Sequence, residues 1–184
     1  ESYGYMGDDF SRDKDGNGAV VMFAELAAYA ASLGLTVVGL LDQVYCEVGY
    51  FLERNESKVF EGASGAAQIA KLADSYGSNP PKEVDGSAVI KVRDFRKDEI
   101  TDEEGDVVLK EKMLFVDLAD GRSFAVRPSG TEPKIKYYMF GRSVPAAGQS
   151  LSAAELTAAK AKVTEGLASM WAWLDKDIDA RLAS

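Results

Sequence analysis

The sequence contains no histidine. That excludes the Ser-His-Asp catalytic class and the usual zinc sites, and leaves Asp, Glu, Lys and Tyr as proton carriers. It has one cysteine, Cys46, so it can form no internal disulfide, which fits a reducing, cytoplasmic setting. Cys46 lies in an apolar helical stretch and reads as a packed thiol, not a nucleophile. No apolar run approaches the roughly 18 residues of a membrane span, and no signal peptide is expected. Clustered positive charge is missing too: 21 Lys and Arg stand against 30 Asp and Glu, a net charge of −9. A nucleic-acid footprint needs a basic face, so neither nucleic acid nor a membrane is expected as a partner. An acidic surface keeps a chain soluble, and it requires any anion site to be built locally, against the overall field.

What is present suits one domain, or one domain with part of another: 184 residues, 46% of them hydrophobic. The run from Glu1 is loop-like, and the expectation is a piece of a longer protein. Residues 16–33 read as a helix, with Val20, Phe23, Ala24, Ala27, Ala28 and Ala31 at helical spacing, Asp15 as N-cap and Gly34 at the C-cap. A second helix, 36–48, has Leu40, Leu41, Val44 and Tyr45 on its apolar face. One short turn joins the two, so they should pack antiparallel. Residues 49–60 read as a short strand or linker, polar enough at Glu53 to Lys58 for a boundary. A third helix, 62–76, is expected to turn Ala66, Ile69, Ala70 and Ala73 inward, and GSNPP stops it.

The period then changes from 3.6 to 2. Residues 87–95 alternate Ala88, Ile90 and Val92 against more polar neighbours. The acidic stretch 98–110 reads as a surface hairpin or loop. Strands at 112–118 and 123–127 are joined by ADG, a strong hairpin signal, and another strand follows at 134–141. The tail, 151–182, is one long helix with a capping box at Ser152 and Glu155 and a core face of Leu156, Ala159, Val163, Leu167, Met170, Trp171 and Leu174. The fold class is therefore α+β: an antiparallel sheet of about four strands covered by helices.

Two stretches concentrate chemistry. DKDGNG, residues 13–18, matches the first half of an EF-hand calcium loop at Asp13, Asp15, Asn17 and Gly18. The bidentate Glu belongs at position 12, where Ala24 stands. Glu25 comes one residue late, and no helix precedes the loop. The run reads better as a helix start, with Arg12 and Lys14 as a basic pair beside a helix N-terminus. RPSGTEPK, residues 127–134, lies between two strands. Arg127 offers a planar fork of donors, Ser129 and Thr131 offer hydroxyls, and Gly130 admits close backbone approach. Lys134 adds a second positive charge, and Pro128 and Pro133 stiffen both sides. P-S-G-T is also ordinary turn chemistry that needs no ligand. Together they suit an anion such as a phosphate group.

ESYGY at 1–5, RDKDG at 12–16 and RPSGTEPKIKYY at 127–138, in this order and spacing, resemble the α-D-phosphohexomutases, the phosphoglucomutase and phosphomannomutase enzymes. The resemblance covers nearly the whole chain and falls on the last part of such an enzyme. It implies that residues 1–50 are the helical end of the third, α/β domain, and that 51–184 are the fourth, TBP-like, phosphate-binding domain. It implies an isomerase that moves a phosphoryl group between O1 and O6 of a hexose, through a phosphoserine and a bisphosphorylated sugar. The substrate would be a hexose phosphate such as glucose 1-phosphate or glucose 6-phosphate. The cofactor would be Mg²⁺, held by a D-G-D-x-D-R loop that, like the serine segment, does not occur in this sequence. By the same resemblance Glu1 and Ser2 grip ring hydroxyls, and Arg127, Ser129, Gly130, Thr131 and Lys134 bind the phosphate not being transferred. Lys14 sits near the reacting phosphate as proton carrier or charge stabiliser, and the piece is inactive alone. The competing readings are a stand-alone sugar-phosphate or anion-binding module and a calcium-binding structural domain.

Overall fold

The computed structural model describes residues 4–7, 13–62 and 64–183. The chain divides into two compact units, Glu1–Gly49 with Pro145–Leu156, and Tyr50–Val144 with Thr157–Ser184.

The first unit is built on two helices, α1 (Gly16–Ser32) and α2 (Val37–Val48). Asp15 caps α1, its carboxylate accepting from the Asn17 N–H at 3.0 Å. At the other end Gly34, at φ +71°, closes a Schellman motif. Its N–H donates to the Ala31 carbonyl, and the Leu35 N–H donates to the Ala30 carbonyl. Thr36 caps α2 at once, accepting from the Gly39 N–H at 3.0 Å. The two helices do not pack antiparallel as the short turn suggested; they are bent at 81°. The Schellman bonds fix the chain's exit from α1 and the next residue but one already caps α2, so no residues are left to reverse direction. Cys46 is partly buried in α2, and its carbonyl accepts from the Leu151 N–H at 2.7 Å. No single helix among the described residues is long and apolar enough to cross a membrane.

The second unit is a six-stranded sheet, antiparallel at every pairing, in the order β1-β6-β5-β4-β3-β2. The strands are β1 (Tyr50–Val59), β2 (Glu83–Val84), β3 (Ser87–Asp94), β4 (Leu114–Leu118), β5 (Ser123–Pro128) and β6 (Lys134–Ser143). The expected four are the inner strands; the two more are the edges. β1 includes the polar run Glu53 to Lys58, so that run is strand and not linker. Three of its charges are paired, Arg54 with Glu56 at 2.7 Å and Lys58 with Asp175 at 2.6 Å. Charged residues also suit an edge, where they discourage pairing with another chain.

Helices α3 (Gly65–Ser78) and α4 (Ala153–Ala183) complete the fold. Alternate residues of β4, β5 and β6 form one core with Leu72 and Tyr76 of α3 and Val163, Leu167, Met170, Leu174 and Ile178 of α4. The capping box of α4 is formed: the Ser152 N–H donates to Glu155 at 2.8 Å and the Glu155 N–H donates to the Ser152 hydroxyl at 3.3 Å. Gly141 lets β6 approach α4, since a Cβ there would lie 2.8 Å from Val163.

Two inward faces differ from expectation. On α3 the core side chains are Leu72 and Tyr76, with Ile69 and Ala73 half-buried; Ala66 and Ala70 are exposed. Tyr76 is also fixed by its polar end. Its hydroxyl donates to Asp177 at 2.8 Å, and the Arg181 guanidinium lies 4.1 Å over its ring. On β3 a bulge between Val89 and Lys91 breaks the alternation. Val89 and Val92 turn toward the core, and Ile90 stands 66% exposed.

Candidate functional site

The RPSGTEPK stretch is the hairpin that joins the adjacent strands β5 and β6. The Ser129 N–H donates to the Lys134 carbonyl at 2.9 Å, which closes the loop, and the Lys134 N–H donates to the Glu132 carbonyl at 2.7 Å. The Phe60 N–H donates to the Pro133 carbonyl at 2.8 Å, so the end of β1 holds the loop's outer side. Five of the expected site residues, Arg127, Ser129, Gly130, Thr131 and Lys134, are thus gathered on one turn.

The pleat decides which way the charges face. Val126 and Ile135 point into the core, at 2% and 0% exposure, so Arg127, Lys134 and Lys136 project from the opposite face. Register places Arg127 directly across from Lys136. Lys136 was absent from the sequence-based site. The signal for it was available: once Ser129 pairs with Lys134, counting back along both strands sets residue 127 against residue 136.

The loop holds donors that the fold does not use. Among the described residues the Ser129 and Thr131 hydroxyls make no hydrogen bond. Gly130 is exposed, has no positive φ, and a Cβ there would meet nothing within 4 Å. Neither backbone conformation nor packing calls for glycine, so its open approach is available to a ligand. Two cations of the turn stand beside carboxylates. Arg127 Nε lies 3.4 Å from Glu111, and Lys134 Nζ lies 2.8 Å from Glu132. Neither carboxylate is evident as a counter-ion from the sequence alone. Glu111 lies sixteen residues away along the chain, and Glu132 is inside the turn.

On its core side the hairpin borders a groove of about 590 Å³. Ala66 and Ala70 line it, which accounts for their exposure, together with Arg96, Lys112, Ser129 and Glu132. Arg96 is held by Asp94, donating Nε to Oδ1 and Nη2 to Oδ2, both at 2.9 Å. Those hydrogen bonds hold the Asp94 carboxyl below the usual aspartate range against the opposing cost of burial.

The other expected site residues belong to the first unit. Lys14 is 58% exposed and pairs with the exposed Asp13 at 3.2 Å. Its stem lies against Gly4, where a Cβ would collide with it, and the Asp15 N–H donates to the Tyr5 carbonyl at 2.9 Å. The ESYGY and RDKDG stretches therefore touch. Glu1, Ser2 and Arg12 lie outside the described residues. In the calcium-like run, Asp15 is used as a helix cap. Gly18 makes room for it, since a Cβ there would come within 2.5 Å of the Asp15 carboxylate.

Among the described residues no ligand set suits the Mg²⁺ implied by the resemblance. Among the described residues the carboxylates that converge are Asp102, Glu104 and Asp106, all exposed. Asp102 already accepts from the N–H groups of Glu104 and Asp106 in its own loop. This exposed set does not fit a metal centre that works on a bound phosphoryl group.

Residues 61–158, more than half of the chain, match the family model for the C-terminal domain of phosphoglucomutase/phosphomannomutase. Among curated proteins, the chain is 37% identical over 145 residues to a phosphoglucomutase of Staphylococcus haemolyticus. It is 34% identical over 144 residues to one of Staphylococcus aureus and 34% identical over 143 to one of Staphylococcus epidermidis. Each of these alignments takes in 76% of this chain and 26% of the relative, so the chain spans about a quarter of their length. Among solved structures, the Paramecium phosphoprotein parafusin, a phosphoglucomutase in its open form, matches with 16% identity and a TM-score of 0.46, over 97% of this chain and 29% of that one. On the strength of the family model, this chain belongs to the phosphoglucomutase/phosphomannomutase family, and its residues 61–158 are that family's C-terminal domain.

Proposed function

We propose that this chain is the phosphate-anchoring part of a phosphohexomutase, an isomerase that interconverts hexose 1-phosphate and hexose 6-phosphate through a phosphoserine and a bisphosphorylated sugar. The observation that carries this reading is the β5–β6 hairpin. On one turn it presents two cations, two unspent hydroxyls and a glycine that the fold itself does not require, inside the region that matches the family. Arg127, Lys134 and Lys136 supply charge to the phosphate group that is not transferred. Ser129 and Thr131 donate hydroxyl hydrogen bonds, and the open backbone at Gly130 lets the group come close. Residues 1–50, the helical end of the third domain in this reading, would supply the rest. Glu1 and Ser2 would hold the ring hydroxyls shared by glucose and mannose. Lys14, exposed at the turn before α1, would carry a proton or stabilise charge at the reacting phosphate. Phosphoryl transfer asks the protein mainly for position and charge, and this chain's contribution is of that kind. The magnesium ion and the serine belong to parts of the enzyme outside this sequence, and the chain alone is proposed to be inactive.

The test is titration with glucose 6-phosphate, read by the backbone amides of Ser129 to Glu132 and of Lys134. Saturable shifts are expected in the wild-type chain. Arg127→Ala is expected to weaken binding about tenfold or more, since a hydrogen bond to a charged group contributes about 1.5–3 kcal/mol. Gly130→Ala should weaken it with no change in melting temperature. Wild-type affinity in the Arg127→Ala chain would overturn the assignment.

A further inference from the structure

The anchor is not simply positive. Each of two of its cations has a carboxylate at its side, Glu111 on Arg127 at 3.4 Å and Glu132 on Lys134 at 2.8 Å. Glu111 is not a loose arm that happens to reach over. Its N–H donates to the Phe95 carbonyl and its carbonyl accepts from the Met113 N–H, which fixes its backbone where the chain enters β4. Glu132 is likewise held in the turn, its carbonyl accepting from the Lys134 N–H. We infer that Glu111 and Glu132 are built-in counter-ions that compete with the incoming phosphate for Arg127 and Lys134, making the anchor weaker than its cations alone would make it.

This rests on the phosphate-anchor reading above and deepens it. A phosphate dianion must take the place of these carboxylates, or share their cations, before it is held. The two carboxylates repel the dianion as well, so they oppose binding through both the broken pairs and the direct like-charge term. The reaction proposed above requires each end of the sugar to occupy the anchor in turn. An anchor of three unopposed cations would hold the first end and slow the exchange. The carboxylates are half-exposed, at 47% and 54%, so the pairs are screened and the effect is a modest adjustment of affinity, not a block.

The experiment compares glucose 6-phosphate affinity, by amide shifts in the hairpin, for the wild-type chain and for Glu111→Gln, Glu132→Gln, Arg127→Ala and Glu165→Gln. Glu165 is an exposed carboxylate of α4 beside Gly141 and Arg142, at the far end of β6 from the turn, and its change removes the same net charge. Glu111→Gln and Glu132→Gln are each expected to bind about two- to fivefold more tightly, the range of an exposed ion pair. Glu165→Gln should match wild type, and raising the salt should shrink the gain. Affinity that is unchanged or weaker in both glutamine variants would overturn the inference, because the carboxylates would then only orient the cations or do nothing. An equal gain in Glu165→Gln would overturn it as a general charge effect. If Arg127→Ala loses binding while neither glutamine variant tightens it, the anchor stands and the counter-ion role fails. If Arg127→Ala binds as wild type, the anchor itself fails and this inference with it.

Discussion

Helices α1 and α4 carry apolar faces of similar promise in the sequence, and they end in opposite situations. In α4, Leu167, Met170, Leu174 and Ile178 are fully buried under the sheet. In α1, Val20 is 70% exposed, Phe23 59% and Tyr29 57%, and Ala30 is the buried residue. The difference is not in propensity or capping, since both helices have side-chain caps. It lies in what stands opposite. The second unit has a six-stranded sheet whose inner face takes up α4, whereas the described residues of the first unit form no strand. A 3.6-residue period shows that a helix has an apolar face; it does not show what covers that face.

The comparison breaks first where burial is deepest. Leu167 is fully buried against Gly141 of β6, where an added Cβ would lie 3.1 Å from it. Leu167→Ala removes apolar burial and leaves a cavity in a close-packed place, with an expected cost of about 3–4 kcal/mol. Urea unfolding of the second unit's signal would measure it; a cost under about 1 kcal/mol would mean that the core is looser than this packing. Asp94 comes next. Its side chain is 10% exposed and holds Arg96 by two hydrogen bonds, with a further backbone bond from the Arg96 N–H at 3.1 Å. Asp94→Asn should cost about 2–3 kcal/mol at neutral pH, below the roughly 3–5 kcal/mol of a fully buried pair. The pH dependence has a definite sign. The folded pKa is depressed, so the pair's contribution is present above the ordinary aspartate value near 3.8 and is lost as pH falls through the lower, folded value. The gap between wild type and variant in thermal melts should therefore close toward acid pH, and a gap that widened there would contradict the assignment.

What could be read in advance follows the same division between local and long-range causes. Caps at Asp15 and Ser152, the ADG turn and the period of α4 are written within a few residues, and all form. The turn that carries the candidate site was legible because its donors are contiguous from Arg127 to Lys134. The features missed depend on partners distant in the chain. Ile90 reads as inward until a bulge shifts the register of β3 against β4. Ala66 and Ala70 fit a helical stripe as well as Leu72 and Tyr76 do, and only the sheet beneath α3 chooses between them. The polar run in β1 looks like a linker until Asp175 of α4 is brought to Lys58. Glu111 looks like one more surface acid of an acidic loop until β4 and β5 set it beside Arg127.

In the first unit, where burial is slight, local terms should outweigh packing ones. Asp15→Ala removes the carboxylate that caps α1 and is expected to cost about 1 kcal/mol, seen as lost helicity by circular dichroism. A loss well beyond about 2 kcal/mol would show that Asp15 does more than cap.

Phe23→Ala, about two turns further along the same helix, should by contrast change stability by less than about 0.5 kcal/mol, as exposed positions do, although it deletes a larger side chain than Leu167→Ala. Helix propensity even favours Ala over Phe at an exposed site. The sizes of the two deletions thus run against the sizes of their expected effects, and that inversion is the sharpest form of the comparison. The outcome also reads the surroundings of α1. If Phe23→Ala costs more than about 1 kcal/mol, and the cost falls on dilution, the face is covered in solution by a second copy, because only an intermolecular contact makes a side chain's contribution depend on concentration. If the cost is large and independent of concentration, the cover lies within the chain itself. A negligible cost at every concentration means that the apolar face of α1 stands in water, and that the two helices differ in having or lacking a layer to lie on.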